Sequence, residues 1–170
     1  MKVLYIGGTG EISHACVQRS VAAGHDVTVF NRGQTDEPLP DGVRRVAGDL
    51  ADAAAYAALG EGHFDVVCQF LAYAVETVER DLEVFAGRCG QYVFISTASA
   101  YQKPPRRYVI TEDVPLENPY WDYSRRKAEM ERLLMRAHAA GRLSVTIVRP
   151  SHTYRRRFPG GLAGGSDWAW

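Results

Sequence analysis

The sequence predicts an α/β domain built on a doubly wound parallel sheet. Three observations carry this. Short apolar runs alternate with longer segments of helical periodicity. The runs lack the polar alternation of a sheet with one wet face, so both faces are covered. A glycine cluster, Gly7-Gly8-Thr9-Gly10, follows the first run directly and opens the first helical segment.

In chain order, residues 3–6 read as a buried strand and 11–23 as a helix closed by Gly24. Residues 26–30 and 43–47 are the second and third strands, 51–59 an alanine-rich helix, and 64–70 the fourth strand. Residues 75–88 form a helix with Val78, Leu82 and Phe85 on one face. The fifth strand is 92–95. A long helix, 120–140, ends at Gly141, and the sixth strand, 143–148, is stopped by Arg149-Pro150. Right-handed crossovers give the strand order 3-2-1-4-5-6. Two proline-bearing loops stand out, 34–42 and 102–119, and a loop as long as the second is commonly functional.

A chain of 170 residues supports one domain with a real core. The net charge of zero argues against a nucleic-acid or membrane-surface partner. Cys16, Cys68 and Cys89 form neither a disulfide framework nor a metal pattern; they read as small core residues in a reducing cytoplasm. The first apolar run ends too soon for a signal peptide, and none approaches the ~18 residues of a membrane span. His14, His25, His63, His138 and His152 show no ligand spacing, so no metal is expected.

The glycine cluster carries the first chemistry. Gly7 and Gly10 let the backbone approach a pyrophosphate, and Glu11 and Ile12 stand where a helix N-terminus offers its amides. A tight turn is the plain alternative; the strand-to-helix setting favours a dinucleotide. Ser13 occupies the third glycine position, which governs close helix-to-strand packing. At the end of the second strand, Asn31 replaces the acidic residue that would select NAD, and Arg32 either pairs with a 2′-phosphate or is a solvated arginine after the strand. NADP is therefore expected, with NAD as the alternative. Asp49 either accepts from adenine or caps the next helix. Leu50, Leu71 and Ala72, after the third and fourth strands, complete the expected cofactor contacts.

Further motifs follow: Phe94-Ile95-Ser96-Thr97-Ala98-Ser99-Ala100-Tyr101, Thr111-Glu112-Asp113, Tyr123-Ser124-Arg125-Arg126-Lys127 and Val148-Arg149-Pro150. With Gly48-Asp49-Leu50 and the glycine cluster, they make the chain resemble the extended short-chain dehydrogenase/reductases, the NAD-dependent epimerase/dehydratase family, up to about Tyr154. The resemblance implies a Rossmann fold and a catalytic Thr97, Tyr123 and Lys127, with Ser96 and Ser99 as substitutes for Thr97. Tyr123 and Lys127 share a helix face at i and i+4. An ammonium there would lower the phenol's pKa toward neutrality and fit it for proton transfer. Lys127 would also hold the nicotinamide ribose.

The implied activity is hydride and proton transfer on a sugar nucleotide or similar hydroxyl or carbonyl compound, by an epimerase, dehydratase or reductase. A homodimer through the long helix is a further expectation. The other reading is a non-catalytic dinucleotide-sensing or RNA-binding protein on the same fold. The expected organisation is a dinucleotide-binding domain over 1–150, with 151–170 the start of a truncated substrate-binding segment, so that this chain binds dinucleotide but turns over little. Arg155-Arg156-Arg157 reads as a solvated loop or a phosphate contact, and Trp168 and Trp170 as residues that need a partner to bury them.

Overall fold

Six strands form one parallel sheet: β1 (Lys2–Ile6), β2 (Asp26–Asn31), β3 (Arg44–Ala47), β4 (Phe64–Gln69), β5 (Cys89–Ile95) and β6 (Val145–Val148). Their order is β3-β2-β1-β4-β5-β6, as the right-handed crossovers require. The computed structural model describes residues 1–153. The expectations for Arg155-Arg156-Arg157, Trp168, Trp170 and most of 151–170 fall outside the described residues.

Among the described residues, four α-helices flank the sheet: α1 (Ser13–Ala22), α2 (Ala53–Ala57), α3 (Val75–Phe85) and α4 (Asp122–Ala139). Alternation along β1 divides the core in two. Leu4 and Ile6 point to the side of α2, α3 and α4, into a cluster with Val78, Leu82, Met130 and Leu134. Val3 and Tyr5 point the other way, to Val17 of α1 and to Val27 and Val29. Each such side chain contributes roughly 1.5–3 kcal/mol of burial. On the α1 side of the sheet, β5 and β6 are less covered: Val93 is half-buried and Val148 is exposed.

The departures from the expected boundaries have local causes. The first helix starts at Ser13 rather than Glu11, and the long one at Asp122 rather than Tyr120; neither has a capping side chain to announce it. The alanine-rich helix is shorter than 51–59 and passes into a 3-10 turn over Ala58–Glu61. It is capped by Asp52, whose carboxylate accepts from the amides of Ala54 and Ala55. The third helix stops at Phe85, three residues before the expected end, and the chain turns at Gly87, with φ +71°. The fifth strand gains Cys89–Gln91 through its pairing with β4. The sixth begins at Val145, after the irregular connection formed by Leu143 and Ser144.

Candidate active site

The sequence-derived site residues converge on the carboxyl edge of the sheet. Gly7 follows β1, Asn31 ends β2, Asp49 and Leu50 follow β3, Leu71 and Ala72 follow β4, and Thr97 follows β5. The boundary between β1 and β4 is where the strand order reverses, the usual ligand crevice of an open α/β sheet.

The glycine loop is shaped by contacts on both sides. Gly7 adopts φ +93°, and a Cβ there would lie 3.0 Å from Leu71 Cγ. At Gly8 a Cβ would lie 2.7 Å from Val29 Cγ1, so this glycine permits the close approach of the loop to β2. That packing role was expected at position 13. Ser13 instead turns its buried Oγ back into the loop, where it accepts the Gly10 N–H at 3.0 Å. Gly10 is exposed. Glu11 and Ile12 form the turn just ahead of α1, at the end where helix amides lack intrahelical acceptors. The next residue, His14, is buried and reaches out of the loop, with Nε2 3.4 Å from Glu37 of the 34–42 loop.

At the β2 end, Asn31 Oδ1 accepts the Gly33 N–H at 3.0 Å, while its buried Nδ2 has no partner. Arg32 is exposed. Asp49 is exposed too, and accepts the Ala51 N–H at 2.9 Å; it is not the cap of α2.

The third group sits on α4. Lys127 is buried, and its ammonium donates to the carbonyls of Ala72 (2.8 Å) and Ile95 (2.7 Å). It lies 5.7 Å from the centre of the Tyr123 ring, one helical turn away. Burial pushes the Lys127 pKa down to about 8, against a smaller opposing pull from Glu131. Tyr123 is half-buried, and its pKa is raised, first by burial and then by Tyr73. This reverses the expected lowering. Two carbonyls hold the ammonium, and loss of water around the phenol is the leading cause of the rise.

Thr97 heads a chain of hydroxyls. Its Oγ1 lies 2.9 Å from Ser99 Oγ, which lies 2.7 Å from Ser124 Oγ. Three hydroxyls share two links, so one hydrogen remains unused. Ser124 is fully buried and Thr97 is not, so of the two ends Thr97 is the one where a spare hydrogen can meet an outside acceptor. Ser99 thus links Thr97 to Ser124. Ser96 is turned away, donating to buried Glu131, which also holds Arg149 at 2.7 Å.

Sequence reasoning missed Ser124, Glu131 and a buried cluster around Asp81. Asp81 lies on the stripe of Val78, Leu82 and Phe85; a carboxylate on an apolar face was the available signal. The long loop after β5 lines a separate cleft of about 900 Å³ against α4, with Arg106, Arg132 and Arg136 in its wall. Among the described residues, no group of His, Cys, Asp or Glu is placed to hold a metal, and no helix is long and apolar enough to cross a membrane.

Comparison with known proteins agrees with this arrangement. Residues 3–163 match the model of the NAD dependent epimerase/dehydratase family. A UDP-glucose 4-epimerase from Lactobacillus helveticus is 29% identical over 168 residues, covering 88% of this chain and 51% of the relative. A 2′-dehydrokanamycin reductase from Streptomyces kanamyceticus is 29% identical over 160 residues, covering 91% of this chain and 44% of the relative. The solved structure of a short-chain dehydrogenase/reductase superfamily protein from Agrobacterium tumefaciens, with bound NAD, superposes with a TM-score of 0.72 at 25% identity, over 88% of this chain and 48% of that one. The chain spans about half the length of these relatives. A doubly wound sheet, a glycine loop at its switch point and a tyrosine–lysine turn on α4 are thus found in a member of the NAD-dependent epimerase/dehydratase family of extended short-chain dehydrogenase/reductases.

Proposed function

We propose that the chain is the cofactor-binding part of an NADP- or NAD-dependent enzyme that acts on a hydroxyl or carbonyl carbon of a sugar nucleotide or similar compound. The observation that carries this reading is Lys127: an ammonium kept in the interior, between the ends of β4 and β5, one turn from Tyr123. A buried charge is costly, and such groups cluster at functional sites.

The residues present fit a dinucleotide. The buried Asn31 Nδ2 still has a proton to donate at the adenosine end, and Gly10 carries no side chain into the space before α1. Gly7, Gly10, Glu11 and Ile12 would take the pyrophosphate, and Asn31, Arg32, Asp49, Leu50, Leu71 and Ala72 the adenosine side. Arg32 and the uncharged Asn31 favour NADP. When bound, the dinucleotide supplies the hydride donor and acceptor.

The proton chemistry falls to the protein. Tyr123, with its raised pKa, holds its proton at neutral pH and can give it to a carbonyl oxygen. Thr97 donates its free hydrogen to the same oxygen. Lys127 spends two of its three protons on carbonyls and keeps one for the nicotinamide ribose. Two relatives support the substrate class: one is a UDP-glucose 4-epimerase, the other a 2′-dehydrokanamycin reductase.

In this reading 1–150 form the dinucleotide-binding unit and 151–170 begin a substrate-binding segment; the thinly covered α1 side of β5 and β6 supports packing against more chain. Pairing of two copies through α4 belongs to the same reading. The unpaired cysteines suit a reducing cytoplasm. The test is turnover by the whole protein, substrate-binding segment included, with NADP or NAD and UDP-glucose or UDP-galactose, followed by nicotinamide absorbance and product analysis. Tyr123→Phe should lose ~100-fold or more in rate, the scale of a general acid, and keep its cofactor affinity. Wild-type turnover in that variant would overturn the assignment.

A further inference from the structure

The most buried charged side chain outside the catalytic group is Asp81 of α3, with no exposed surface. Its Oδ1 accepts from the Tyr56 hydroxyl, and its Oδ2 accepts from Tyr92 Oη at 2.5 Å and Gln69 Nε2 at 2.8 Å. All these partners donate, the arrangement of an ionised carboxylate. None of the sequence motifs includes this cluster, and the proton chemistry above does not use it.

Gln69 is the link to the ligand crevice. Both of its amide hydrogens are taken, one by Asp81 and the other by Tyr56 Oη at 3.2 Å. Its Oε1 accepts the Leu71 N–H at 2.7 Å, at the carboxyl end of β4. The flipped amide would set oxygen against the carboxylate and N–H against N–H, so Asp81 and the Leu71 N–H together fix which way Gln69 points. Leu71 in turn packs on Gly7 of the glycine loop. A second arm starts from the neighbouring residue. Arg80 stacks on Tyr56, 4.1 Å from the ring centre, and donates to the Leu50 carbonyl. One buried cluster therefore fixes backbone groups after both β3 and β4.

We propose that Asp81 is a positioning residue for the dinucleotide site, acting through Gln69 on Leu71 and, through Tyr56 and Arg80, on Leu50. This rests on the reading that the carboxyl edge of the sheet binds NAD or NADP. Asp81 sets the wall of the adenosine half without touching the ligand. Its loss weakens binding by the folded protein, beyond any cost to folding.

The test compares wild type with Asp81→Asn and Gln69→Met. Each is titrated with NADP, NAD and ADP-ribose, unfolded in urea, and probed at the Leu71 amide by hydrogen exchange and its NMR shift. The expected result is a folded Asp81→Asn protein whose Leu71 amide shifts and loses protection, with affinity for all three ligands at least tenfold weaker. Gln69→Met, which spares the tyrosine contacts of Asp81, should show the same pattern and carries the test if Asp81→Asn does not fold. Folded variants with wild-type affinity overturn the positioning role while leaving the dinucleotide reading intact. A wild-type protein that binds none of the three ligands overturns both.

Discussion

Replacing Lys127 with methionine separates what this residue costs the fold from what it gives the site. Burial holds its pKa at about 8 rather than 10.5, so keeping the charge inside costs about 3 kcal/mol at neutral pH. Lys127→Met removes that cost. It also strands the carbonyls of Ala72 and Ile95, now bonded at 2.8 and 2.7 Å, at about 1–3 kcal/mol each. The terms largely offset, so the net loss of stability in urea should not exceed about 3 kcal/mol. Cofactor affinity should fall roughly ten- to a hundredfold, the worth of one charge-assisted hydrogen bond. The pH dependence has a definite sign. The folded pKa is depressed, so between about pH 8 and 10.5 the unfolded chain holds a proton that the native one has released. This group therefore adds stability as pH rises through that window, and the gap between wild type and Lys127→Met should move accordingly. Urea unfolding across that range and fluorescence titration with NADP measure both effects. A variant that binds NADP like wild type, or that loses well over 4 kcal/mol of stability, would refute the reasoning.

Three other substitutions probe separate parts. Gly8→Ala places a Cβ 2.7 Å from the fully buried Val29, and should cost about 1–3 kcal/mol by overpacking; an unchanged urea midpoint would contradict the close approach. Arg32→Ala should weaken NADP more than NAD, because only NADP carries the 2′-phosphate, and equal losses in parallel titrations would remove the NADP preference. Glu131→Ala leaves Arg149, 18% exposed, without its partner; calorimetry or urea unfolding should show a loss of about 3 kcal/mol, the lower end for a broken buried pair, and a loss below half of that would mean that water already screens the pair.

Much of this fold is legible in the order of its residues. Continuous apolar runs such as Val3–Ile6 mark strands covered on both faces, and the glycine cluster marks the switch point. Helix starts are harder to read. Trp121 and Ile12 stand at cap positions without a capping side chain, while Asp49 and Asp52 both look like caps and only the second is one. The Tyr123–Lys127 turn follows from helical spacing, but the state of its groups does not. The ammonium's partners lie 55 and 32 residues away in the chain and are backbone carbonyls, which no side-chain pattern announces. The desolvation that raises the Tyr123 pKa is likewise a product of packing. Asp81 was hidden for the opposite reason: its helix has a clear apolar face, and a carboxylate on that face becomes meaningful only once Tyr56, Tyr92 and Gln69 are seen around it.

The central claim is that the carboxyl edge of this sheet binds a nicotinamide dinucleotide through the glycine loop. Titration of the chain with NADP and NAD, alongside Gly10→Leu, tests it most directly. Gly10 is exposed, and its Cβ position meets only Ser13 Oγ at 3.4 Å, so a leucine there can be accommodated by the fold while filling the space a pyrophosphate must enter. Wild type should bind saturably, more tightly to NADP, and the variant should lose at least tenfold in affinity with unchanged stability. Saturable binding of equal strength in both proteins, or none in wild type, would contradict it.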